Sequence, residues 1–349
     1  MNSALKKLGI ALLAIVLCIA GLLAYFTIFE YKPDDIVNIE VASGEKIIEK
    51  DNELSIMTFN TGYGGLDEAQ DFFMDGGEGV EPESEEIVRR NVDGIGKSIV
   101  ELDTDFTFLQ EVDVDSKRTY HVNELEISEE MTGEDGVYAP NHKANFVPYP
   151  IPPIGEIDAG LATLTDYKMS SAKRIALPIS FKWPVSTCNL KRCMLETRMP
   201  IEGSDKELVL INFHLEAYDS GEGKIAQSKM LAKKLEEEYE KGNYVIAGGD
   251  FNQTFEGMDT YPIHDKEGWV PGIIGKKEIG EDFSFAVSDN EPTCRLLNGP
   301  YSGNFEDSQV YVIDGFIVSK NIEVTNVKNI RTEFKYSDHQ PVLMNFKLK

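Results

Sequence analysis

The apolar run Tyr244-Val245-Ile246-Ala247 stops on Gly248-Gly249-Asp250-Phe251-Asn252, and this stretch constrains the fold most. The run reads as a strand buried on both faces. The two glycines end it with little bulk and let other backbone come close. Asp250 and Asn252 stand two apart, so an extended chain projects them to the same side. Gly, Asp and Asn also favour surface turns. What tips the balance is that other apolar segments end the same way.

Leu54–Asn60 alternates and ends on Asn60; Phe106–Gln110 runs into Glu111; Leu208–Leu215 carries His214 near its end. Val310–Val318 reads as one strand with Asp314 inside an apolar run, and Ser337-Asp338-His339 opens the last strand, Val342–Leu348. Between them, residues 84–100 and 223–240 show helical spacing, with Ser84 as a cap. Residues 141–153, rich in Pro and aromatics, read as a loop over the rim. Taken singly, each polar residue has an ordinary explanation. A His in such a strand is more often structural, Glu111 could be a solvated strand end, and a buried Asp314 is costly unless paired. As a set at strand ends, carboxylate and amide oxygens suit a hard cation such as Mg²⁺. Two histidines with spare carboxylates suit acid–base work. GxSxG, GxxxxGK[ST] and CxxC patterns do not occur, which disfavours a serine hydrolase, a phosphate-cradling loop and structural zinc.

The N-terminus sets the address. Lys6 and Lys7 precede an uncharged apolar run from Leu8 to Phe29, and a spanning helix needs roughly 20 such residues. Residues 1–30 therefore read as an uncleaved anchor, N-terminus inside, since the acidic Glu30, Asp34 and Asp35 lie beyond it. A cleaved signal peptide competes, but its apolar core is usually about 7–15 residues. Cys18 suits a lipoprotein poorly, with Leu17 before it. Residues 31–52 read as a polar stalk that, if extended, reaches up to roughly 60 Å. Residues 53–349 then form one domain. With a net charge of −26, the chain is not drawn to nucleic acid or anionic lipid by electrostatics. Cys188 and Cys193 could pair in an oxidising exterior.

The ordered set Met57-Thr58-Phe59-Asn60, Leu109-Gln110-Glu111-Val112, Asn212-Phe213-His214-Leu215, Gly249-Asp250-Phe251-Asn252, Ile313-Asp314 and Ser337-Asp338-His339 resembles the endonuclease/exonuclease/phosphatase superfamily over residues 54–349. The resemblance implies a four-layer α/β sandwich, two packed mixed sheets flanked by helices, with the site at strand ends. It implies a hydrolase of phosphoester bonds using Mg²⁺, with Mn²⁺ as an alternative. Glu111 would be the main metal ligand, with Asn60 beside it and Asp338 next to the metal. Asp250 would orient the attacking water, and Asn252 would bind a phosphate oxygen. His214, paired with Asp314, would serve the leaving oxygen, and His339 would be base or phosphate contact. Gly62 stands where some members carry an acidic residue. An extracytoplasmic nuclease ranks slightly above a sphingomyelinase-like lipid-headgroup phosphodiesterase, because a long stalk suits a soluble polymer. An inactive surface-binding module on the same fold is the reading from another class.

Overall fold

The computed structural model describes residues 3–41, 44–219, 221–258, 261–265 and 268–349. Glu207–His214 and Tyr244–Asp250 are buried along nearly their whole length and lie parallel, side by side. They are inner strands of a seven-stranded mixed sheet. Its order is Ile36–Ile39, Ser171–Ala176, Cys193–Pro200, Glu207–His214, Tyr244–Asp250, Asp314–Ser319, Phe283–Ala286. A six-stranded sheet runs Ile322–Asn329, Val342–Leu348, Leu54–Asn60, Phe106–Asp113, Gly155–Thr165, Asp135–Val147, with Leu54–Asn60 and Phe106–Asp113 parallel.

The sheets pack face to face. Phe106, Phe108 and Phe346 of one meet Leu195, Leu208, Ile246 and Phe316 of the other. Burying side chains of this size stabilises by about 1.5–3 kcal/mol each. On the outer face of the larger sheet, Leu231 and Leu235 of the helix Glu222–Glu240 cover Val209, Ile211 and Val245. On the outer face of the smaller, Ile95 and Ile99 of the helix Glu85–Leu102 cover Met57, Phe59 and Leu109. Ser84 caps that helix as expected, its hydroxyl accepting from the Ile87 amide. The four-layer α/β sandwich follows from these contacts.

The N-terminal helix α1, Ser3–Ile28, is long and apolar enough to cross a membrane. The segment after it is not a free stalk. Glu30 pairs with Lys191 at 3.0 Å, both nearly enclosed. Ile36–Ile39 adds an antiparallel edge strand to Ser171–Ala176. Ile48 is buried in the inter-sheet core and bridges to Ile201. Backbone donors of an edge strand gain partners this way, and the charges of the segment stay outside. The extended reach expected for residues 31–52 is therefore lost.

Two further expectations change. Val310–Val318 is not one strand: Val310–Tyr311 pairs with Cys294–Arg295, and a new strand starts at Asp314. Much of residues 141–153 belongs to the strand Asp135–Val147. Cys188 and Cys193 remain unpaired thiols.

Candidate active site

Both sheets end at one rim, and register puts the polar residues there. His214 lies opposite Asp250, and Asp250 opposite Asp314, across three adjacent strands. Adjacent strands are about 4.8 Å apart, so these side chains are neighbours by construction. Gly249 makes the spacing workable: a Cβ there would fall 1.8 Å from the Phe213 carbonyl oxygen. The smaller sheet brings Asn60 beside Gln110, and its ladder bulges between Leu109 and Val112. Glu111 occupies that bulge with φ +58°, a conformation non-glycine residues seldom adopt, and so leaves the strand's alternation. Ser337 donates to the Asn60 carbonyl at 2.8 Å and accepts from the His339 amide at 3.1 Å, which ties the last loop to the rim.

The structure thus gathers every predicted site residue but rearranges the partnerships. Asp314 binds His339, not His214: its carboxylate accepts from Nδ1 at 2.9 Å. The shift has a plain cause, since Asp314 opens its strand facing the Ser337–His339 loop instead of lying mid-strand. His214 is held instead by Asn252, whose amide nitrogen lies 2.9 Å from Nε2 and also donates to the Leu215 carbonyl at 2.9 Å. Both amide hydrogens of Asn252 are thereby used, so it positions His214 and is not placed to donate to a phosphate oxygen. Asn60 likewise accepts from the Gly62 amide through its oxygen at 3.0 Å. It turns its nitrogen to Glu111 at 3.1 Å and Asp250 at 3.0 Å. It orients two carboxylates, and its oxygen carries the Gly62 hydrogen bond.

Two buried residues within the quoted motifs had been given no role. Gln110 donates to the Asn212 side-chain oxygen at 2.7 Å, and Asn212 donates to the Leu109 and Ala162 carbonyls. They join the sheets directly beneath the site. The signal was available: Asn212 shares a strand face with His214, two residues on.

Electrostatics divides the histidines. Burial, with the charges of Arg192 and His339, pushes His214 well below its ordinary range. Its Nε2 then accepts from Asn252, leaving the proton on Nδ1, 3.9 Å from Glu111. Burial also opposes charge on His339, but Asp314, Cys294 and Asp338 outweigh it and raise His339 well above its ordinary range. Its Nε2 faces Asp250 at 3.7 Å and Asp338 at 3.9 Å. Asp250 is pushed up to about 7 by burial and the Asp314 charge. Asp338 is also pushed up to about 7, by burial, with the Glu111 charge adding to the rise.

The residues fit a hard divalent cation. Glu111 and Asp338 face one cavity, and among the described residues neither has a Lys or Arg ion pair. The Glu111 charge adds to the cost of ionising Asp338, and a cation held by the two would relieve it. Asp250, Asp314 and His339 form one compact donor group, and Cys294, Asp338 and His339 another. Gly62 has φ +53°, so a side chain there is strained, and its Cβ would lie 2.7 Å from an Asp338 carboxylate oxygen that would have to shift.

No protein-family model matches the chain, and no curated protein matches it. Solved structures do. An endonuclease/exonuclease/phosphatase from Beutenbergia cavernae is 16% identical with a TM-score of 0.59, over 85% of this chain and 72% of that one. ANGEL2, a 2′,3′-cyclic phosphatase, is 16% identical with a TM-score of 0.56, over 88% and 99%. The human Nocturnin catalytic domain, with bound sulfate, is 15% identical with a TM-score of 0.52, over 90% and 97%. The chain therefore shares its fold with these proteins, an endonuclease/exonuclease/phosphatase among them.

Proposed function

We propose that the chain is a divalent-metal-dependent phosphodiester hydrolase, held at a membrane by α1 with its catalytic domain on the extracytoplasmic side. One observation carries the chemistry. Asp250, a carboxylate poised near neutrality, sits between a neutral histidine and one held charged, beside two carboxylates that have no Lys or Arg ion pair among the described residues. A binding module has no need of histidines tuned in opposite directions.

Asp250 takes a proton from water as that oxygen bonds to phosphorus. The imidazolium of His339, fixed by Asp314, lies against the charge developing on the phosphoryl oxygens. The Nδ1–H of His214 is the neutral donor for the departing ester oxygen. That P–O bond breaks, the alkoxide takes a proton from solvent, and Asp250 returns its own. The sum is one water consumed, with one phosphomonoester and one alcohol formed. A cation held by Glu111 and Asp338, such as Mg²⁺, would supply charge neutralisation and Lewis-acid polarisation.

The anchor reading is supported by contacts that cleavage would destroy: Thr27 accepts from the Trp183 indole at 3.0 Å, next to the Glu30–Lys191 pair. The nuclease ranking, by contrast, rested on the reach of a free stalk, and that support is gone. The test is hydrolysis of bis(p-nitrophenyl) phosphate by the full chain. Glu111→Gln or excess EDTA should remove most of the rate with the melting temperature of the variant little changed. Full activity in EDTA overturns the metal mechanism.

A further inference from the structure

The cavity above the site is far larger than a phosphoester needs, about 810 Å³, and most of its lining is apolar. One wall comes from α1. Of that helix, only Leu23 and Phe26 are partly covered, and both line the cavity. Phe26 also stacks on Phe146, ring centres 6.5 Å apart. Glu111, His214, Asp250 and His339 line the same cavity.

Position along the helix sets the depth. Phe26 stands nineteen residues after Lys7, about 28 Å along an α-helix, close to the roughly 30 Å of a bilayer's hydrocarbon core. With Lys7 at the inner boundary, the cavity opens at the outer one. Its surroundings match that level: Tyr149, Ile151 and Trp183 are exposed, Ile151 by 92%. Trp and Tyr belong at membrane–water interfaces.

A nucleic acid fits the same cavity poorly. Aromatic platforms bind single strands only with free cations to follow the phosphates. Among the described residues three arginines line the cavity: Arg118 is paired with Asp113 at 2.8 Å and Arg192 with Glu216 at 3.6 Å, and Arg295, without a carboxylate partner, is buried and turned to the Asp67 and Gln70 carbonyls.

We propose that the substrate is a membrane phospholipid of the outer leaflet, its acyl chain entering this apolar cavity along α1 while its phosphodiester reaches the carboxylates and histidines below. The proposal rests on the phosphodiesterase reading and names its substrate class. The chemistry is the balanced hydrolysis given above, one product keeping the acyl chain.

The test uses the full chain in detergent micelles. Its substrates are vesicles of equimolar phosphatidylcholine, phosphatidylethanolamine, phosphatidylglycerol and sphingomyelin, then bis(p-nitrophenyl) phosphate and a single-stranded DNA oligonucleotide. At least one lipid should be cleaved with kcat/KM about 100-fold above the soluble diester, from burial of its chain. A soluble diester or oligonucleotide that outcompetes every lipid overturns the proposal but leaves the hydrolase standing. No cleavage of any diester sinks both. Tyr149→Ser, at an exposed wall position, and Phe73→Ser, deeper in, should each lower the lipid-to-soluble ratio of kcat/KM roughly tenfold. An unchanged ratio in both overturns the proposal.

Discussion

Replacing Asp314 with Asn keeps the shape of a buried side chain and removes its charge from His339. The carboxylate and imidazole are 2.9 Å apart and both nearly enclosed. A hydrogen bond to a charged group contributes about 1.5–3 kcal/mol, roughly 10- to 150-fold in a rate that depends on it. Asn can also turn an N–H to Nδ1 and reverse the tautomer, so Asp314→Asn should lower kcat/KM on a soluble diester by about 10²–10³-fold. The sign of the pH effect follows from the same contact. Asp314 raises the His339 pKa, so its loss makes His339 shed its proton at lower pH. Activity that needs the imidazolium then falls earlier as pH rises, and the alkaline limb moves to lower pH. His339→Ala should cost at least as much, and the double variant no more than the worse single, because both disable one unit. A double loss equal to the product of the singles, or coupling of Asp314 to His214 instead, would refute the pairing.

Glu124 is fully buried at the start of the helix Glu124–Thr132, its carboxyl pushed up to about 8 by burial and by the charges of Asp113 and Glu111. Because the folded value is raised, stability is whole below the ordinary carboxyl range and is lost as pH rises toward and through 8; Glu124→Gln should recover about 3–5 kcal/mol at pH 8.5 and little at pH 4, read as a pH-dependent gain in melting temperature. Asn212→Leu removes the donors to two buried carbonyls and the acceptor for Gln110. It should destabilise by about 2–4 kcal/mol in a denaturant titration, and a value under about 0.5 would deny the bridge its role. Protease added to intact cells should degrade residues beyond α1 without permeabilisation, and protection until lysis would reverse the topology.

Strand ends were legible because apolar runs and their polar stops are local in sequence: Asn60, His214 and Asp250 each end a strand, whereas Glu111 sits in a bulge that nothing local announces. Partnerships were not, because they depend on register across strands. Asp314 looked like an interior residue of Val310–Val318, and nothing local reveals that Tyr311 faces Cys294 while Asp314 faces Asp250. Amide orientation was hidden for the same reason. Asn60 and Asn252 are set by a backbone amide at Gly62 and a carbonyl at Leu215 that only the fold supplies. Residues 31–52 misled because charge and Pro33 suggest a solvated tether, yet Ile36 to Ile39 and Ile48 carry enough apolar and backbone surface to dock.

That docking explains how so acidic a protein could work on a bilayer. A net charge of −26 repels anionic lipid, and peripheral enzymes rely on basic patches to overcome such repulsion. Here α1 would make the encounter intramolecular, so surface charge need not attract the substrate. A flexible tether would dilute that benefit as its length grew. The Glu30–Lys191 pair and the strand Ile36–Ile39 instead leave almost no slack between the helix and the cavity. Loosening the junction while keeping the anchor separates the two effects. Lys191→Ala combined with a flexible insertion after Phe29 should lower turnover of vesicle lipid while sparing the soluble diester. If vesicle turnover is unchanged, proximity alone suffices and the fixed orientation of the cavity has no part in it.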